Sequence, residues 1–371
     1  MALPPSNGRV FTQFEPDSDV VENQKTLVTT GLFSNNAGSI STAYTSSAQT
    51  SGSKAYYYDV YNSTSSTAEP QFAVAWGNRF GSGSSASGQI NDSPSKAVYS
   101  QYKLLLLNPG DTTFTFANGV STDSIYVINF NRARLKDKLD PGNWQLSLAE
   151  LSGSSVANSA HTGSNVKVSG TGKVISLIDD SGNTTQTTLT SVGRVYNVVS
   201  GSISNGVASI HNPSQPYYYG LVYPDMGIIV LNDTMLNTGS GYSFAALGFN
   251  SVSGSNINGD NAWKLYTSIS GAFAINSTTN AFAARNEETV TSTHYFVRVK
   301  NAEYNFSNNP TFVTGSTGQI AQPTFIGDPK VYVTTVGLYN DRQELLAVAK
   351  LSKPIQKSYS KEALIKIKLD F

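Results

Sequence analysis

The stretch "VYVTTVGLYNDRQELLAVAKLSKPI", residues 331–355, limits what this chain can fold into more than any other. Its side chains keep a two-residue period, so Val331, Val333, Thr335 and Gly337 share one strand face. Tyr332, Thr334, Val336 and Leu338 share the other, and Tyr339 ends the run. "NDRQ" at 340–343 turns the chain, and "ELLAVAKL" returns. On the return, Leu345, Ala347 and Ala349 face one way, and Leu346, Val348 and Lys350 the other. This predicts an antiparallel hairpin. Gly337 and the alanines are small enough to let a neighbouring strand or sheet approach closely. Pro354 lacks an amide donor and is expected to stop the ladder. "SYSKEALIKIKLDF" then reads as a last strand, with the terminal Phe371 packed away.

The rest of the chain repeats the pattern in shorter pieces. "AYYYDVYN", "EPQFAVAW", "SIYVINFN", "WQLSLAEL", "GKVISLID", "GRVYNVVSG", "YYYGLVYPDMGIIVLN" and "HYFVRVK" are strand candidates separated by Gly, Asn, Ser and Pro. Phe72, Val74 and Trp76 alternate with Ala73 and Ala75, and Tyr126, Ile128 and Phe130 with Ile125 and Val127. Strands apolar on both faces belong in the middle of a sheet. "DPGN" after Leu139 reads as a turn, and Asp179 and Asp180 fall in a hairpin turn. "SPSKAVYSQYKLLLL" suggests a short helix capped by Ser95 that passes into a strand, and "AFAARNEETV" a brief helix or a strand end. "DNAWKLYTSISGAFAI" reads as further short apolar runs. No sustained helical period is evident. The expected fold is mostly β: multi-lobed, sandwich-like antiparallel sheets with long irregular connections and a few short helices. Residues 1–54 read as an extended arm or irregular segment, and 55–150 as the first part of a β domain. Residues 151–280 read as a second β-rich lobe inserted into it, and 281–371 as its C-terminal part.

Charged residues make up 13% of the chain, about half the usual share, and 25 basic residues balance 25 acidic ones. Such a chain does little to repel its own copies, which suits a protein held in a fixed assembly. It lacks the positive footprint that nucleic acid requires. The 20 Tyr residues suit strands and subunit interfaces alike. With no cysteine, disulfides, thiol catalysis and cysteine-ligated zinc are excluded. The first residues carry no basic region followed by an apolar run, so no secretory signal is expected. The apolar stretches "LLLL" and "GIIVL" are far too short to span a membrane.

Catalytic patterns are thin. His161, His211 and His294 stand alone in sequence, without metal-binding spacing. Glu287 and Glu288 would point to opposite faces of a strand. "GNRFGSGSSASG" lacks the Gly-Lys-Ser/Thr ending of a phosphate loop and has no evident following helix. Lysines alternate with Ile and Leu in "LIKIKLDF", the pattern of a half-exposed edge strand guarded by charge. Trp76, Trp144 and Trp263 would have to line a groove if the chain bound sugars.

The segment 331–371 resembles the C-terminal part of virion structural proteins from contractile-tailed phages, especially those of marine cyanobacteria. "YYYDVYN", "FAVAWGNRFGSGS", "IYVINFNRARLKDKLDPGNWQLSL", "GRVYNVVSGSISNG" and "YYYGLVYPDMGIIVLN" are similar to the same group, so the likeness spans most of 55–371. It implies a mostly-β, non-enzymatic subunit of the tail baseplate or its wedge, with no cofactor and no metal. Its partners would be other tail and baseplate proteins, including further copies of itself. It would be made in the host cytoplasm and would end in the virion. Tyr332, Gly337, Leu338, Tyr339, Leu345, Leu346, Lys350, Pro354 and Phe371 are the candidate interface and structural residues. A tail-fibre, collar or capsid-decoration protein is the nearest alternative. A carbohydrate-binding or depolymerising β protein is the more distant one.

Overall fold

The computed structural model describes residues 15–45, 55–84, 93–152, 166–182, 188–239, 245–251, 260–275, 282–314 and 318–370. Its strands of five or more residues, in chain order, begin with β1 (Val20–Gly31), β2 (Tyr57–Tyr61), β3 (Phe72–Asn78), β4 (Ser124–Phe130) and β5 (Lys138–Ala149). They continue with β6 (Val174–Asp179), β7 (Gly193–Ser204), β8 (Tyr218–Tyr223), β9 (Ile228–Asn232) and β10 (Phe282–Val299). β11 (Val331–Tyr339), β12 (Leu345–Lys357) and β13 (Ala363–Asp370) complete the set. The protein is mostly β, with large antiparallel sheets. It divides into a body, residues 28–288, and a terminal unit made of residues 1–27 and 289–371.

In the body the strand order is β10–β5–β6–β7–β8–β9–β4–β3–β2, with every neighbour antiparallel. The central strands are apolar on both sides because both faces are covered. Val74, Trp76, Tyr126, Ile128, Ile229 and Leu231 look into one core, while Ala75, Ile125, Val127, Ile228 and Val230 look into the other. Each core includes a helix, one expected only as a short helix passing into a strand and the other not expected at all. Helix α1 (Pro94–Leu106) buries Val98, Tyr99, Tyr102 and Leu106, the spacing of one helical face. Its leucine run is helical rather than a strand, with Leu104 at the surface and Leu106 fully inside. Pro94 occupies the first turn after Ser93, so Ser95 is not the cap; it is buried and donates to Ser82 O. Helix α2 (Asp260–Ile275) inserts Ala262, Leu265, Ile269 and Ala272 into the first core. Small residues at helical spacing look like broken strand text, which is why this helix was not anticipated.

Two further readings are corrected. "DPGN" is not a turn between strands, because β5 runs through it. The ladder pairs Leu139 with Asn286 and Trp144 with Ala284, leaving Asp140–Asn143 as a bulge with Gly142 at φ +77°. The division at 150/151 and 280/281 cuts one sheet, since β6 pairs with β5 and β9 with β4. From Phe282 to Val290, "AFAARNEETV" lies in strand β10 rather than in a helix. Of the N-terminal segment, residues 15–45 are described and contribute β1, which neighbours β10.

Within the terminal unit, β10 pairs with β13 from Ser292↔Asp370 to Val299↔Ala363. Ala363 and Ile365 turn inward, while Leu364, Lys366 and Lys368 are exposed, as the alternation predicts. β11 and β12 form the expected hairpin.

Candidate interaction surface

The hairpin is built around Asn340. Its side-chain Oδ1 accepts from Arg342 N (3.0 Å) and Glu344 N (2.8 Å), and Gln343 N donates to Asn340 O (2.9 Å). Asn340 N returns to Glu344 O at 3.1 Å, which closes the loop. The reversal needs a left-handed residue, and Gln343 supplies it at φ +59°. Beyond the turn, Tyr339 pairs with Leu345 and Leu338 with Ala347, so Leu346 is the extra residue of a bulge. Gly337 leaves room for its own hairpin: a Cβ there would stand 2.8 Å from the Tyr339 ring and 3.2 Å from Leu345 Cδ1. Thr335 pairs with Lys350 and Val333 with Ile355, so the ladder skips Leu351–Pro354 opposite Thr334. Pro354 therefore does not end the strand. It sits where no amide is needed, and pairing resumes through Lys357.

The ribbon that results is apolar and poorly covered. Tyr332 is 59% exposed, Leu345 52%, Leu346 61% and Val348 58%. Lys350 and Pro354 are exposed and Leu338 and Tyr339 half-buried. Phe371 lies outside the described residues. Val21, Leu27, Phe306, Ile326, Tyr359 and Leu364 of the same unit are exposed as well. Against these, the terminal unit's described residues contribute only four buried hydrophobic side chains, Phe312, Val331, Ala363 and Ile365. Phe306 and Phe325 stack about Phe312 at 5.6 Å. At the base of the ribbon Lys357 is fully buried, its Nζ donating to Asn305 Oδ1 at 2.7 Å and Asn301 O at 3.1 Å. Burial lowers its pKa, opposed by the charge of Glu303.

The body offers concave sites with little convergent chemistry. A cavity of about 460 Å³ between β6, β7 and β8 is lined by Ser176, Ser200, His211, Asn212 and Tyr217, with no carboxylate. A second, of about 380 Å³, includes Asp111 and Asp180, but Asp180 is already held by Asn197 N (2.9 Å) and Nδ2 (2.8 Å). Asp179 and Asp180 are not in an exposed turn: both are buried, and Asp179 accepts from Gly142 N and Ser181. Sequence reasoning missed a carboxylate cluster. The β5 bulge brings Asp140 beside Glu287 and Asp179, and no linear spacing announces it. Burial raises the Asp140 pKa first, and those two charges raise it further, while Asn143 donates to it at 2.8 Å. Glu287 bonds to Lys138 at 3.0 Å, and Glu288 to Lys136, so each of the neighbouring acids has its own cation.

His294 pairs across the ladder from Lys368, His211 borders the first cavity, and His161 lies outside the described residues. Among the described residues no three His, Asp or Glu side chains gather as metal ligands. Nor is any described helix long and apolar enough to cross a membrane. Trp76 and Trp144 are buried, and Trp263 packs on Tyr58 and Tyr266. None of the three forms an open aromatic platform. Compared with known proteins, the chain matches no family model, no curated protein and no solved structure.

Proposed function

We propose that this chain is a non-enzymatic structural subunit of a phage virion, placed in the baseplate of a contractile tail. In this reading its terminal unit docks on fixed neighbours. One observation carries the proposal: a long apolar ribbon with its large side chains at the surface, in a unit whose described residues include four buried hydrophobic side chains. So small a core does not offset the conformational entropy of ordering such a segment. The missing burial is what neighbouring subunits supply in an obligate assembly, where interfaces are larger and more apolar than transient ones. The two bulges and the Asn340 turn set the register, and in a particle a one-residue slip would turn the wrong face outward. The low charge and the sequence likeness to cyanophage tail proteins support the same assignment.

The test is quantitative mass spectrometry of density-purified virions. The chain is expected at a fixed ratio to the other tail proteins in every preparation. Its absence from particles, or a ratio that drifts with washing, contradicts the role.

A further inference from the structure

We propose that Lys357 and Asn305 react with each other, the lysine Nζ displacing the asparagine side-chain nitrogen to leave an intramolecular isopeptide bond within the terminal unit. Both side chains are buried, at 0% and 8% exposure, and the nucleophile already touches the amide, Nζ to Oδ1 at 2.7 Å. The carbon to be attacked is one bond beyond that oxygen. The amide cannot swing away, because its Nδ2 donates to Asn301 O at 2.7 Å and the same carbonyl accepts from Nζ at 3.1 Å. Reactants held this way have lost their translational freedom in advance, which is where intramolecular reactions gain most of their rate.

The surroundings favour the reactive form of the amine. Lys357 makes its hydrogen bonds to two neutral oxygens, and no carboxylate among the described residues lies within salt-bridge distance of it. A desolvated lysine with neutral partners more readily becomes the free amine, which is the nucleophile. The charge of Glu303, two residues before Asn305, acts the other way and is the smaller influence. In the reaction the Nζ–Cγ bond forms and the Cγ–Nδ2 bond breaks. One Nζ proton passes to the departing Nδ2, which leaves as ammonia. No oxidant, reductant or cofactor is needed.

The bond also answers a need that the sequence creates. The chain has no cysteine, and the described residues of this unit bury little core. A covalent tie from the end of β12 to the loop after β10 would hold the base of the ribbon, as staples do in other scaffolds with small cores.

The experiment is intact-mass measurement and digestion of the purified full chain. A molecule lighter by one ammonia is expected, with one branched peptide joining the segments that contain Asn305 and Lys357. Lys357→Arg and Asn305→Ala should each abolish both the ammonia loss and the branched peptide. A full-mass wild-type chain with separate peptides would overturn the proposal and leave Lys357 as a hydrogen-bonded clamp. Loss of ammonia without a joined peptide, the sign of local cyclisation, would overturn it too. The readout uses the isolated wild-type chain, so it stands apart from the tail assignment.

Discussion

Truncating two exposed ribbon residues, Leu346→Ala with Val348→Ala, separates docking from folding. In the free chain these side chains are 61% and 58% exposed. Their removal should change the stability of the isolated protein by no more than about 0.5 kcal/mol, as for other surface substitutions. In an assembled particle the exposed portion would be buried. Complete burial of a Leu or Val side chain is worth about 1.5–3 kcal/mol, so the remaining portion, less the Cβ that Ala keeps, is worth about 1 kcal/mol per site. Together the two changes should cost about 2 kcal/mol of docking, or ~30-fold in affinity. The assay is competitive incorporation: wild-type and double-variant chains are supplied together, and their ratio in purified tails is read by mass spectrometry. A variant depleted by roughly that factor, with an unchanged melting temperature, supports the reasoning. Equal incorporation would refute it, because the ribbon would then bury nothing on assembly.

Three further outcomes are expected. Gln343→Gly should relieve the left-handed turn by about 1 kcal/mol, seen as ~5-fold slower amide exchange in β11 and β12; unchanged or faster exchange would contradict the strain. Asp140 has a raised pKa in the folded state, so the native protein binds its proton more tightly than the unfolded chain. Its contribution therefore falls as pH rises above 3.8, and Asp140→Asn should flatten the decline in urea midpoint between pH 4 and neutrality; an unaltered slope would show that the carboxyl is not desolvated. Trp144→Ala, at a fully buried position in the body, should cost about 3–5 kcal/mol and lower the melting temperature strongly, whereas a small shift would contradict the close packing of that core.

What sequence reasoning recovered and missed follows from range. The hairpin was legible because its period, its Asn-Asp-Arg-Gln turn and its partner strand lie within a few residues of one another. The central position of β4 was legible because apolar residues occupy both of its faces. The helices were legible only in part: the start of α1 reads as a short helix but its partly buried leucine run as a strand, and α2, broken by Ser and Gly, reads as short apolar runs. The passage of β12 through Pro354 depends on a skipped register that only the opposite strand reveals. The meeting of Asp140 with Glu287 and of Lys357 with Asn305 joins segments far apart in the chain, where single-sequence periodicity says nothing.

The most direct measurement is electron cryo-microscopy of the purified virion at side-chain resolution. The account predicts β11 and β12 pressed against neighbouring tail subunits, with Tyr332, Leu345, Leu346 and Val348 removed from solvent. A particle in which this ribbon faces open water, or which holds no density for the chain, would contradict it.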